Sequence, residues 1–512
     1  MIFNSHSSLY FLILMQLKNN NFMKQQLLSL FIAFGFVGIL SAQGYITPDT
    51  STTYTLDDLV AVSPSTISVT GTTYTLVNDL TISTTDTLII STDVTLEIGA
   101  DIRITIYGTF NVDANNAIFT AIDTAAPYDG FRFEELSEIN IQNATIQYGG
   151  GLRVLTETFT INNCLVTNNV SGVSTGAVIS LSRGMAQITN NTISFNDTAA
   201  ISSGANSAVS PYIFNNYIEG NNQANSNRPQ INMGTTMLEN PLQIIQNTIK
   251  GDRNLDMVGG IAVSNFVGGV INAVIDDNII IDNRYGLTIL GNNAFAYVRN
   301  NVIEDNDTQN APFSGGSGIS LNTSSAGLEV IASGNEIRRN LWGITVIGQA
   351  SINLGDNIDN IGQNVFSENG NDGATYALYN NTANSIMAMH NCWDEANAPN
   401  TLADAEAVIS HQNDDPSLGL VTFDPVNCAF LSVEDLAFNQ LAMYPNPTDG
   451  QLNLDQNTSF NQMNVYSIEG KLIMTKNLQM GSNEMNLELN SGIYILEFHG
   501  EHNKAIKKLV VK

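Results

Sequence analysis

One phrase recurs along the middle of this 512-residue chain: Asn, any residue, a large apolar residue, two further residues, then Asn or Asp. Seven complete copies run Asn191–Asn196, Asn216–Asn221, Asn247–Asp252, Asn278–Asn283, Asn301–Asn306, Asn335–Asn340 and Asn364–Asn369. Their first residues lie 25, 31, 31, 23, 34 and 29 positions apart. A repeat of this length cannot bury an apolar face alone, but stacked copies share a continuous core. The phrase therefore constrains the fold more than any other feature, and its unequal spacing puts loops of unequal length on the stack.

Degenerate copies flank the run at Ala144–Gly149, Cys164–Asn169 and Asn391–Ala396. Several copies are followed by a second apolar strand that starts at glycine, as at Gly286, Gly318 and Gly343. Each repeat therefore holds at least two short strands separated by a bend, and stacking at ~4.8 Å yields a parallel β-solenoid. Asn tolerates the left-handed backbone of a tight bend, and its amide offers donors and an acceptor. The repeat residues Asn191, Asn216, Asn247, Asn278, Asn301, Asn335, Asn364 and Asn391 are thus expected to turn the chain and to bond to one another as a structural ladder. Their presence in every coil argues for scaffold rather than ligand contact.

Half-buried strands with polar and apolar residues in alternation begin earlier, from Tyr74 through Phe110. With the Asn phrase and the Gly-led strand, residues 70–428 resemble the right-handed parallel β-helix superfamily. The resemblance implies an all-β fold and leaves function open, because that superfamily includes lyases, hydrolases, epimerases and adhesins. Asn391-Cys392-Trp393, a helix-like stretch over Leu402–His411 and the run to Pro425 are similar to the closing segment of secreted β-helices, where Gly commonly follows the Trp; here Asp394 stands there.

After a connector over 429–440, Tyr444-Pro445-Asn446-Pro447 opens a compact module over 441–512. It contains a Thr448-Asp449-Gly450 turn, a hairpin at Val465–Lys471, a strand at Ser491–Leu496 and a basic finish at Lys507–Lys512. This order resembles the type A C-terminal sorting domain of the type IX secretion system of Bacteroidetes, a small β-sandwich. The resemblance implies export across the outer membrane, with the secretion machinery as partner, and a secreted or cell-surface destination.

The amino end agrees with export. Leu27–Leu40 is an apolar run of 14 residues after Met23 and Lys24, too short to span a bilayer that needs ~20, which reads as a secretory signal engaging the Sec machinery rather than a transmembrane anchor. Residues 1–42 form this leader, with translation expected to start at Met23 and cleavage between Ala42 and Gln43; residues 43–69 are a lead-in.

Residues 43–432 carry 39 acids against 11 basic groups, a net of −28 within a chain total of −29. A polyanion repels nucleic acid and acidic membrane, which are bound through clustered Lys and Arg. The three cysteines, Cys164, Cys392 and Cys428, are too few for a disulfide scaffold. Cys164 reads as a buried thiol, whereas Cys392 and Cys428 pair if the compartment is oxidising.

Chemistry is scarce. Two histidines fall in the body, and His390 occupies the turn position before a repeat Asn. No cofactor is evident; calcium is one option for the acidic pairs Glu134/Glu135, Asp276/Asp277, Asp356/Asp359 and Asp414/Asp415. Strand neighbours point to opposite faces, so Asp276 and Asp277, and likewise Arg338 and Arg339, are expected to diverge. Three phrases, starting at Asp86, Asp123 and Asp197, resemble the Asp-Thr O-glycosylation sequon of Bacteroidetes. Two readings remain: a noncatalytic β-helix that binds polysaccharide or surface glycan, and a polysaccharide lyase or glycoside hydrolase with carboxylates in a groove. Catalytic residues stay unassigned.

Overall fold

The structure, a computed structural model, describes residues 44–429, 441–456, 460–467, 471–479, 481–500 and 504–512. The leader expected over 1–42, with its Ala42/Gln43 cleavage point, and nearly all of the connector lie outside the described residues.

The body is a parallel β-helix. Each coil contributes one strand to each of three sheets, called here sheets 1, 2 and 3, which hold 14, 13 and 14 strands. One coil runs through Thr192–Ser194 in sheet 2, Ala199–Ser203 in sheet 1 and Tyr212–Phe214 in sheet 3 before the next begins at Tyr217. Every neighbouring pair within the sheets is parallel except at the start, where Ile67–Thr70 runs antiparallel to Thr73–Leu76. The stretch expected as a lead-in already pairs with the stack: Tyr45–Ile46 lies beside Leu80–Ile82, and Thr53–Tyr54 beside Thr87–Ile90. The helix Leu56–Val62, capped by Thr55 and Asp58, packs Leu56 and Leu59 over this end.

The apolar position of the phrase forms one column. Ile193, Ile218, Ile249, Ile280, Ile303, Ile337 and Phe366 are in register and fully buried. In-register stacking of one branched side chain buries each methyl against its own kind, which is why a parallel stack selects Ile at this site.

The two Asn positions of the phrase bracket each sheet 2 strand, and each makes its own ladder. In the first, the backbone N–H and Nδ2 of Asn278 both donate to Asn301 Oδ1, at 3.0 and 2.9 Å. Asn278 Nδ2 also reaches back to Ile244 O of the preceding coil at 2.8 Å. The pattern continues from Asn191 to Asn391, and the eight residues are at most 2% exposed. At the lower end Cys164 substitutes as a weak rung: its N–H donates to Asn191 Oδ1, and its Sγ accepts from the Ala144 N–H at 3.3 Å. Burial raises that thiol to about 11, so it stays protonated and inert.

The second ladder links Asn169, Asn196 and Asn221, then Asn283, Asn306, Asn340 and Asn369. One coil breaks the pattern, because its phrase ends in Asp252. Gln230 fills the gap from a loop: its Oε1 accepts from Asn221 N and Nδ2, both at 3.2 Å, and its Nε2 donates to Asn283 Oδ1 at 3.1 Å.

The ladder residues do not turn the chain, contrary to the sequence expectation. The left-handed conformation falls on the residue before each one, at Asn190, Asn215, Gln246, Asp277, Asn300, Gly334, Gln363 and His390, with φ between 52° and 66°. A second set sits at the fifth position of the phrase, including Phe195, Asp282, Asp305, Arg339 and Glu368. A ladder Asn must aim its amide along the stack axis, so the bend is displaced onto its neighbour. The Gly-led strands have a different cause, since Gly286, Gly318 and Gly343 have ordinary φ. A Cβ on Gly318 would stand 2.8 Å from Gly343 O, so glycine there admits the close approach of the next coil.

At the far end Trp393 stacks on Phe366, ring centroids 4.9 Å apart, and Cys392 is disulfide-bonded to Cys428. The helix-like stretch expected to reach His411 ends at Glu406; Ile409–Ser410 then joins sheet 1. His411 lies beyond the helix, where its Nδ1 accepts the Val421 N–H at 3.0 Å and its Nε2 faces Glu406.

The C-terminal domain is antiparallel. Three strands, Leu441–Tyr444, Gln451–Gln456 and Gly481–Asn486, form one sheet. Four others, Phe460–Ser467, Leu472–Asn477, Gly492–Gly500 and Lys504–Val511, form the second. Leu452, Leu454, Met463, Val465, Leu496, Phe498 and Leu509 fill a separate core. Asn446 of the Pro-Asn-Pro opening brackets the last strand, donating to Lys508 O and accepting from the Val510 N–H.

Candidate functional site

Sheet 1 differs from the others on its outer side. Between core residues of successive strands, one outward position runs Ser180, Ser202, Asn232, Ala262, Thr288, Ser320 and Thr345 in register. Seven coils of small side chains make a shallow floor roughly 30 Å long at the strand spacing.

The unequal repeat lengths become a wall along this floor. Residues 222–229, 252–258 and 307–316 all leave the chain at the corner between sheets 2 and 1, and cations brace them. Arg253 joins Asp282 and Asp307 at 2.9 and 2.7 Å. Arg284, 8% exposed, has only neutral partners among the described residues: Asn227 Oδ1, Gln309 Oε1 and Ser314 O. Its charge is solvated by three oriented dipoles from two loops, which fixes the wall from behind. Arg228 reaches Thr175 O and Gly176 O in the same way.

Where the floor approaches the cap, the wall and sheet enclose a cleft of about 630 Å³. Trp342 and Tyr379 line it from successive coils, and Tyr376 packs against both rings. Trp342 lies 4.6 Å from Tyr376 and 5.1 Å from Tyr379, centroid to centroid, and Tyr376 and Tyr379 are 6.5 Å apart. The Trp342 Nε1–H donates to Pro312 O at 3.0 Å, tying the ring to the loop whose tip, Phe313, is 99% exposed. Ser317, Ser320, Thr345 and Asn381 supply hydroxyl and amide groups between the rings. No Asp, Glu, Lys, Arg or His lines the cleft. Tyr285 at its base is pushed up to about 12 by burial, so it too is neutral. Such a surface offers ring faces and weak polar groups, and nothing that moves a proton near pH 7.

The acidic pairs are elsewhere, and most of their carboxylates are already engaged. Glu134 and Glu135 pair with Arg132 and Arg183. Asp276 accepts from Arg299 and Asn300, while Asp277, at a left-handed corner, accepts from Gln246. Asp356 caps its own loop, accepting the N–H groups of Ile358, Asp359 and Asn360 at 2.8 to 3.0 Å, and these bonds lower its carboxyl to about 2. Asp414 accepts the His411 N–H, and Asp415 the Ser417 N–H. Among the described residues no three of His, Cys, Asp and Glu gather as a metal site.

Arg338 and Arg339 do not diverge. Arg339 is left-handed, which breaks the strand alternation, and both guanidinium groups meet on Glu304, at 2.9 and 2.5 Å. Arg338 also bonds Glu336 and Glu395, so this cluster on sheet 2 fastens the cap segment to the stack. His390 is a left-handed turn residue whose Nε2 meets Asn357 Oδ1. Of the three Asp-Thr phrases, Thr124 is exposed in a turn, whereas Asp86 is buried and its carboxylate accepts the N–H groups of Asp49, Thr50 and Thr52.

Sequence reasoning missed the cleft. Its rings are spaced by loops of irregular length, and an outward aromatic on a strand looks like any other. The one available signal was the longest interval between copies, 34 residues from Asn301 to Asn335, which holds Pro312 and Phe313.

Residues 442–512 match the family model of the secretion system C-terminal sorting domain. No curated protein matches the chain. The domain supports export through type IX secretion and interaction with its machinery, and the protein is secreted or displayed at the outer surface. No helix among the described residues is long and apolar enough to cross a membrane.

Proposed function

We propose that the exported β-helix is a noncatalytic glycan-binding or adhesive protein of a Bacteroidetes bacterium. It takes neutral polysaccharide or cell-surface glycan in the cleft lined by Trp342 and Tyr379. The observation behind this reading is the pair of cleft rings, Trp342 and Tyr379, with Tyr376 packed against both, set among hydroxyl and amide groups without one ionised side chain. Sugar rings present apolar C–H faces to aromatic planes and hydroxyls to short polar groups, so this lining suits them. An acidic polymer would meet the field of a body of net −28 with no cation in the cleft to offset it. The braced wall favours affinity, because little order remains to be gained on binding.

The test is a panel of neutral and acidic polysaccharides, each assayed for binding and for breakdown, with the exported body and its Trp342→Ala variant. Binding of neutral glycans that falls at least ~10-fold in the variant, about 1.4 kcal/mol, supports the reading. Chain cleavage abolished by a single carboxylate substitution would establish the lyase or hydrolase alternative instead.

A further inference from the structure

The solvent side of the four-stranded sheet in the C-terminal domain has two unlike halves. One half is polar: His499 Nε2 meets Glu497 Oε2 at 2.8 Å, Thr475 Oγ1 donates to Asn464 Oδ1 at 2.8 Å, and Glu497 Oε2 also accepts from the Tyr466 hydroxyl at 3.1 Å. The other half is apolar. Tyr466 stands in register between Leu472 and Ile495, with Lys508 next in the row, and Ile493 pairs with Val510 in the row beyond. Leu472 is 50% exposed, Ile493 44% and Ile495 40%.

These residues add nothing to the fold's own core, which lies on the opposite side of the sheet among Met463, Val465, Leu496, Phe498 and Leu509. Leaving several large apolar side chains together on a sheet face invites aggregation unless a partner covers them. Away from Glu497, the border of this half-face carries the reverse of the chain's overall charge. Lys508 is exposed in the same row, Lys471 precedes Leu472, and from Lys504 to Lys512 there are four Lys and no Asp or Glu, in a chain of net −29.

We propose that this apolar half-face is the surface that the type IX machinery grips, through an apolar patch rimmed by acidic groups. The match over residues 442–512 makes the secretion machinery the partner of this domain, and the lysine border specifies the charge that partner presents. A second copy is a poor occupant, because a two-fold contact would set Lys508 near its own equivalent.

The experiment compares export of the full chain in a type IX-competent host for Leu472→Asp/Ile495→Asp, Leu472→Thr/Ile495→Thr and, on the polar half of the same face, Thr475→Asp. Surface and medium fractions are measured against the periplasmic fraction, with protease resistance of the tail as the check on folding. The Asp pair is expected to cut export at least ~10-fold with a protease-resistant tail, and Thr475→Asp to export as the parent chain does. If the Asp pair makes the tail protease-sensitive, the Thr pair, which keeps β-branched or short side chains suited to a strand, decides, with a severalfold loss expected. Normal export of a folded apolar-half variant overturns the proposal, as does an equal block by Thr475→Asp. Normal export with a shifted melting of the body would assign the face to the chain's own β-helix and overturn it equally.

Discussion

Two sides of the same coil are built on opposite terms. At both edges of sheet 2 the buried amides repeat with little freedom, each Asn fixing the next, and the corner residues take one backbone conformation. Along sheet 1 the repeat constrains only the strand, and everything at the corner beyond it varies in length. Sheet 2 can therefore lose no rung cheaply, whereas sheet 1 tolerates loops of any length that its cations can brace. A stack that must be regular to exist can be irregular on one side, and function collects there.

The largest effect that would break this contrast is at the middle of the first ladder. Asn301→Ala leaves the Asn278 N–H and Nδ2 without their shared acceptor inside the core, and a loss of about 3–5 kcal/mol is expected. Chemical denaturation of the body measures it. A change below about 1 kcal/mol would mean that the ladder is decoration rather than support.

Gln230→Ala is the sharper probe, because it removes a rung that belongs to a loop and not to the phrase. Asn221 loses an acceptor for two donors, so about 2–3 kcal/mol is expected. Amide hydrogen exchange should place the weakened protection at the coils of Asn221 and Asn283. Trp342→Ala, by contrast, is expected to change stability by less than about 1 kcal/mol while reducing glycan binding, since its ring is partly exposed and lies outside the core.

The smallest effect concerns the loop that Asp356 holds beside the ladder corner. Its carboxyl titrates at about 2, below the ordinary value near 3.9, because backbone N–H groups favour the charged form. A depressed folded value gives stability that is present above pH ~4 and is lost as pH falls toward 2. The group is well solvated, so the contribution is less than about 1 kcal/mol. Melting between pH 5 and 2 should show a shallower acid slope for Asp356→Asn than for the parent chain; equal slopes would remove the carboxylate from the account.

Much of the scaffold was legible in the sequence. The spacing of the phrase gave the coil, the apolar position gave the Ile column, and the tail motifs agreed with the sorting-domain match. The errors have local causes. The left-handed bend was placed on the ladder Asn because Asn favours that conformation, yet the amide's task in the stack excludes it and moves the bend one residue back. Arg338 and Arg339 were expected to part because strands alternate, but the second of them is where the strand ends.

By itself, then, the sequence determined what repeats: a register of Asn and Ile dictates a parallel stack because every coil must satisfy the one beneath it. Only the tertiary structure decided what does not repeat. Trp342, Tyr376 and Tyr379 meet, and Gln230 reaches a ladder that it does not belong to, through loops whose paths are set by contacts between coils. A period records local, recurrent forces; a site assembled across unequal loops has no period to record.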